Sequence, residues 1–309
     1  MSDNRTILQQ HNVRINENNN DLVSILVTIN NLPERGGSSA TITDADYLFM
    51  QGARTASIND VLSLCKNVTS CKNMFYGCRN LTELDLSNFD TSKVTTMTNM
   101  FGGCEALQTL NLSGFNTSNV TDMSSMFFTC GNLETLDLSD FDTSNVTNMG
   151  GMFSSCFNLQ TVDVSNFNTS NVTDMGGMFE QCRNLTDLDL SNFDASNVSS
   201  VSSMFWDCSS LTNLKFVKNL GKGFTADYDY HYEYTVDLSS ARNLTHESLM
   251  DVINNLYDLN LTYDVANGGT LHRQQLVVGF DNWDKLTDEE RNIAEQKGWT
   301  VTREVIEEW

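Results

Sequence analysis

Proline is nearly missing from this chain. Pro33 is the only one in 309 residues, so beyond it nothing locks a backbone dihedral or removes a main-chain donor. Cations are scarce as well: eighteen Lys and Arg stand against forty Asp and Glu, a net charge of −22. Such a surface repels phosphate backbones and anionic lipid, which argues against nucleic-acid and membrane-surface partners. No apolar run approaches the ~18 residues of a membrane span. The start, Met1-Ser-Asp-Asn-Arg-Thr6, lacks the apolar core of a signal peptide, so synthesis and folding in a cytosol are expected, without membrane insertion. His11, His231, His246 and His272 are scattered, and Cys65 and Cys71 are not spaced like a metal knuckle, so neither a metal site nor a cofactor is expected. Gly-x-Ser-x-Gly, His-Glu-x-x-His and a phosphate loop are all missing, and Gly221-Lys222-Gly223 is too short to be one. The chain is expected to be a non-enzyme with no catalytic residues.

What the sequence has is a beat. Met-Phe recurs at 74, 100, 126, 152, 178 and 204, always 26 residues apart, and Cys78, Cys104, Cys130, Cys156, Cys182 and Cys208 keep the same period, as do Val68, Val94, Val120, Val146, Val172 and Val198. A fixed period of this length means a stacked array. Within each unit Leu84/Leu86 and their counterparts alternate with polar residues, as in a short strand with one buried face. Met97, Met100, Phe101 and Cys104 lie three and four apart, which fits a short helix or 3₁₀ turn. One unit cannot cover its apolar face, but stacked neighbours can. The expected fold is an α/β leucine-rich-repeat solenoid with parallel strands about 4.8 Å apart and continuous Leu, Phe, Val, Met and Cys ladders inside. Parallel side chains and a reducing compartment make the cysteines buried thiols rather than disulfides.

Two readings arise for the outward ladder Asp85, Asn111, Asp137, Asp163 and Asp189 and its companion Asp90, Asn116, Asp142, Asn168 and Asp194. Close acidic oxygens could hold calcium. The favoured reading is turn chemistry, because Asp-Thr-Ser and Asn-Thr-Ser recur with the turn and Asx side chains satisfy local backbone donors.

The ends depart from the beat. Residues 1–33 place Leu8, Ile15, Leu22 and Ile29 seven apart, with Ile25 continuing the companion position. That heptad seam predicts an N-terminal helix that oligomerises as a coiled coil, preferably a trimer, or docks on another protein. Residues 34–44 form a linker, and 45–216 the array, whose degenerate first unit puts Leu48-Phe49 one period before Met74-Phe75. Residues 217–309 hold an aromatic insertion and an α/β C-terminal cap. Tyr228, Tyr230, Tyr232 and Tyr234 alternate with acidic residues and His231, so a strand there would carry an aromatic face able to stack on sugars or anchor a protein, or to pack against the cap. The cap is expected to read β-α-β-α-β, with a capping box at Thr287–Glu290, and to close the C-terminal end. Trp206, Phe128 and Phe157 are aromatic at otherwise polar outer positions and join the tyrosines as candidate ligand contacts.

The unit from Asp85 to Cys104, Asp-Leu-Ser-Asn-Phe-Asp-Thr-Ser-x-Val-Thr-x-Met-x-x-Met-Phe-x-x-Cys, resembles the 26-residue BspA-like leucine-rich repeat of bacterial surface proteins. Leu286-Thr-Asp-Glu-Glu and Ala294-Glu-Gln-Lys-Gly-Trp299 look like C-terminal ends of phage- and prophage-encoded repeat proteins, and Thr6–Ile15 and Ile29–Pro33 are similar to the starts of such structural proteins. These resemblances imply a virion appendage in tail, fibre or capsid, built in the host cytoplasm beside other virion proteins, with the array binding a host-surface protein or glycan. The alternatives are a spacer or decoration protein without a ligand, and an adhesin at the bacterial cell surface.

Overall fold

The computed structural model describes residues 44–50, 58, 61–63, 65–222, 235–261 and 274–304. The N-terminal seam of Leu8, Ile15, Leu22, Ile25 and Ile29, the linker apart from its last residue, and Tyr228, Tyr230, Tyr232 and Tyr234 lie outside them.

The 26-residue beat becomes a stack of coils. Ser70, Thr96, Asp122, Asn148, Asp174 and Ser200 pair one with the next, all in parallel, so each coil sits one strand spacing beyond the last. The buried positions are the periodic ones. Met74, Phe75 and Val94 and their counterparts through the array are all but fully buried. Phe75, Phe101, Phe127, Phe153 and Phe179 stack nearly flat with centroids 5.5–5.7 Å apart, an offset separation at which rings attract beyond their buried area. Phe49 stacks on Phe75 at 4.8 Å, which makes residues 44–50 a true first coil.

The alternating leucines form strands only three residues long: β1 (Glu83–Asp85) with β2 (Thr109–Asn111), and β3 (Asp187–Asp189) with β4 (Asn213–Lys215), both pairs parallel. The Met-Phe segment corrects the expected helix or 3₁₀ turn. It is a run of tight turns in which Met100 N donates to Met97 O (3.1 Å) and Cys104 N to Phe101 O (3.1 Å), while the intervening Asn99 N and Phe101 N reach the next coil at Ser124 O and Met126 O (both 2.9 Å). Left-handed residues cause this. Asn99 (φ 57°) and Gly103 (φ 72°), like Ser125 and Thr129 one coil on, reverse the chain before a second helical turn can form and aim alternate N–H groups along the stack.

The thiols are more than small hydrophobes. Cys104 Sγ donates to Phe75 O, Cys130 to Phe101 O and Cys156 to Phe127 O, each at 3.2 Å, adding a coil-to-coil bond no aliphatic residue could make. All the described cysteines are buried, and none of them forms a disulfide.

Beyond the array the cap is parallel, as expected: β5 (Thr235–Asp237), β6 (Gln274–Val277) and β7 (Trp299–Thr302) form one sheet in that order. Its helices are α1 (His246–Asn255), a short α2 (Phe280–Trp283) that the pattern did not announce, and α3 (Asp288–Gln296). The capping box is complete: Thr287 Oγ1 accepts from Glu290 N and Glu290 Oε2 from Thr287 N. Helix α1 takes the place of a further coil beside β4. Ser248 Oγ accepts from Leu214 N (2.9 Å) and an Asp251 carboxylate oxygen from Phe216 N (2.6 Å), so side chains seal the last strand's edge where another strand would have continued it.

Candidate functional site

Each coil presents flanks of unlike character. One is constant: Asp85 Oδ1 accepts from Ser87 N, Asp90 Oδ1 from Ser92 N, and the pattern repeats at Asp137, Asp142, Asp163 and Asp189. Those oxygens are occupied by turns, which is the Asx reading of both acidic ladders. Hydrogen bonds from Ser87 and Ser92 hold the Asp85 and Asp90 carboxyls below the ordinary carboxylate range. Asn119, Asn145, Asn171 and Asn197 tie this flank together by donating to the serine carbonyl of the previous coil at 2.7–2.8 Å.

Variation gathers on the Met-Phe flank instead. Successive coils place Tyr76, Gly102, Phe128, Ser154, Glu180 and Trp206 in one column, and Arg79, Glu105, Gly131, Phe157, Arg183 and Ser209 in the next. Phe128 and Trp206 stay 36% and 44% exposed, far above the core aromatics. Phe157 lies against the backbone of Gly131, where a side chain would meet its ring edge at 3.1 Å. The Arg183 guanidinium sits 5.0 Å from the Phe157 ring centre, and Arg183 Nε pairs with Asp207 Oδ2 at 2.7 Å. Phe157, Arg183 and Asp207, with Trp206 beside it, therefore form one connected patch across three coils, and Phe128 continues its column.

Arg183 escaped the sequence reading, although it stands one period after Phe157, where a cation falls over the ring below. Tyr47, 47% exposed, and Phe280, 57% exposed, were also missed. Phe280 faces Arg303, whose guanidinium lies 6.0 Å from its ring and 4.8 Å from Trp283, while Arg291 covers Trp283 at 4.1 Å. On the turn flank, aromatic faces beside a fixed guanidinium and carboxylate suit stacking on a sugar ring or anchoring a polypeptide side chain. The thiols are poor nucleophiles, since burial pushes Cys156 and Cys208 up to about 12.

Among solved structures, a leucine-rich repeat protein of T. pallidum aligns over 76% of this chain and 79% of its own, at 18% identity and a TM-score of 0.35. A TLR13–ssRNA13 complex aligns over 85% of this chain and 45% of that chain, at 14% identity and a TM-score of 0.26. No curated protein matches the sequence. One family model, described as a Mycoplasma protein of unknown function, matches residues 47–135 and 129–224. Those stretches take in more than half of the chain and the whole run of coils, and the chain belongs to that family, DUF285.

Proposed function

We propose that the array is a non-enzymatic binding module whose turn flank recognises a protein or glycan on a bacterial surface, through Phe128, Phe157, Arg183 and Trp206. One observation carries this reading. From coil to coil the core and the Asx flank repeat nearly unchanged, whereas the Met-Phe flank changes at each step and holds the exposed Phe128 and Trp206.

The setting we infer is a virion appendage displayed through residues 1–33, a reading supported by the resemblance of the two chain ends to phage structural proteins. The test uses residues the repeat already accepts. Serine occupies the Phe128 column at Ser154, so Phe128→Ser and Trp206→Ser are expected to keep the fold. Binding of labelled protein to intact bacterial cells should fall at least tenfold in the double variant with an unchanged melting curve. Unchanged binding would remove the turn flank from recognition and favour a spacer. Light scattering of the full chain beside one lacking residues 1–33 tests display, and an oligomer that survives the deletion counts against it.

A further inference from the structure

The turn flank carries two aromatic posts with cleared ground between them. Phe128 and Trp206, 36% and 44% exposed, stand in one column three coils apart. Parallel bridges run from Asp122 through Asn148 and Asp174 to Ser200, so three strand spacings put the posts about 14 Å apart along the stack. The two coils between them hold the buried Ser154 and the half-buried Glu180 in that column. These coils also carry Gly150-Gly151 and Gly176-Gly177, where the other regular coils have Lys72-Asn73, Thr98-Asn99, Ser124-Ser125 and Ser202-Ser203. Backbone shape does not demand glycine at the second of these positions. Asn99, Ser125 and Ser203 take the same left-handed turn there (φ 55–57°) as Gly151 and Gly177 (φ 60–62°).

What the glycines admit is side-chain oxygen. A Cβ at Gly150 would meet Asn148 Oδ1 and Asp174 Oδ2, both at 3.2 Å, and one at Gly177 would meet Glu180 Oε2 at 3.0 Å. The two carboxylates therefore lie low against the backbone. Asp174 Oδ1 accepts from Gly176 N at 2.8 Å, and Glu180 Oε2 from Ser154 Oγ at 3.3 Å. A carboxylate has about four acceptor positions, so both keep capacity for further donors. Along one side stand Phe157, Arg183 and Asp207, fixed to one another. The flank between the posts is a low floor rich in acceptors, with an aromatic ring at either end.

We propose, resting on the recognition reading above, that the turn flank takes a neutral glycan laid along the stack from Phe128 to Trp206, with four sugar residues in contact. An extended pyranose chain advances by close to one strand spacing per residue, so it meets one coil per sugar. Its first and fourth rings fall on the posts and stack their C–H faces on the aromatic rings. The two sugars between them lie over the glycines, and their hydroxyls donate to Asp174 and Glu180. A polypeptide suits this floor less well. It carries as many C=O as N–H groups, and a floor of acceptors leaves its carbonyls without donors. An acidic glycan meets two carboxylates on the floor and a net charge of −22 around it.

The probe is polysaccharide from bacteria that bind the full chain, separated into neutral and acidic fractions by anion exchange and cut to two to six residues. By calorimetry, affinity for the neutral fragments should rise steeply up to four residues and level off beyond. Phe128→Ser and Trp206→Ser should each weaken the four-residue fragment at least tenfold. Gly150→Ser should do the same with an unchanged melting curve, since serine already stands at 124 and 202 and fills the floor without touching either post. Cells treated with protease should still bind the wild-type chain. Affinity that ignores length, or that favours the acidic fragments, overturns the proposal. So does cell binding that needs both posts but is lost on protease treatment, a result that leaves recognition standing with a protein as its target. Recognition itself fails on a different result, cell binding that survives the loss of both posts.

Discussion

Thr143→Val tests how the coils are joined on the constant flank. Thr143 is 1% exposed; its hydroxyl donates to Asn168 O at 3.0 Å and accepts from Asn168 N at 2.8 Å. Thr91, Thr117 and Thr169 make the same double bond to the next coil. Valine keeps the volume and removes the oxygen, so no cavity forms but an N–H and a C=O lose their partner together. An unsatisfied donor costs about 1–3 kcal/mol and the carbonyl's lost bond about 1 kcal/mol more, against which the extra buried methyl returns roughly 0.8 kcal/mol, a net loss of about 1–3 kcal/mol. Thr143→Ser provides the opposite control, since it keeps both bonds and gives up one methyl, about 0.8 kcal/mol. Urea unfolding followed by circular dichroism should rank the proteins wild type, then serine, then valine, with an unchanged slope. If volume alone mattered, valine would match wild type and serine would be the weaker variant. That inverted order would refute a hydroxyl that joins coils.

Asp251→Ala should cost about 2 kcal/mol by urea unfolding, because the Phe216 amide loses a charged acceptor at 2.6 Å; the exposed Glu247→Ala on the same helix should cost next to nothing. Acid should weaken the array between the ordinary carboxylate value, about 3.9, and about 2. Burial alone would raise Asp189, but hydrogen bonds from Lys215 and Ser191 more than offset it and leave it at about 2, and Ser139 and Ser144 hold Asp137 and Asp142 low. Carboxyls depressed in the fold stabilise it above their unfolded value, and that contribution is lost as pH falls through the folded one. Asp137→Asn, the residue already standing at Asn111, should melt like wild type at pH 7 and lose less on acidification, as differential scanning fluorimetry would show. Burial pushes Cys65, Cys156 and Cys208 up to about 12, so maleimide at pH 8 should leave the native array unlabelled and modify it fully in denaturant; rapid native labelling, read by mass spectrometry, would contradict the packed ladder.

Much of this architecture was legible because a repeat states its core again in every unit. Leu, Val, Met, Phe and Cys on a 26-residue beat give the ladders directly, and Thr287 with Glu290 gives the start of α3 from its capping box alone. The Met-Phe turns were not legible as turns, because apolar residues three and four apart satisfy helix and turn alike. What separates them is the left-handed backbone at Asn99 and Ser125, and both residue types also occur in helices. The Thr91–Thr169 bridges were hidden inside tripeptides that read as ordinary turn chemistry. On the turn flank Trp206, Phe128 and Phe157 stood out against polar counterparts, but Arg183 acquires its meaning only when Phe157 is placed beneath it and Asp207 beside it.

Where the array stops is decided by small departures from the beat. Threonine bridges the coils at 91, 117, 143 and 169 because the two backbones there are held apart by a hydroxyl's width. At the next step the residue is Ala195, fully buried, and its N–H reaches Lys218 O directly at 2.9 Å while Lys218 N reaches Phe193 O at 3.1 Å. The chain has drawn in by two residues, pairing Asp194 with Lys218, and a threonine side chain would now occupy the space that the closer backbone fills. Phe216 stands where earlier coils carry Leu or Val and tilts against Phe205 at 6.2 Å, closing the phenylalanine column with a ring that offers no flat face to a successor. Shortening and tilt steer the chain toward β5 and α1, and α1 then supplies Ser248 and Asp251 to the strand edge.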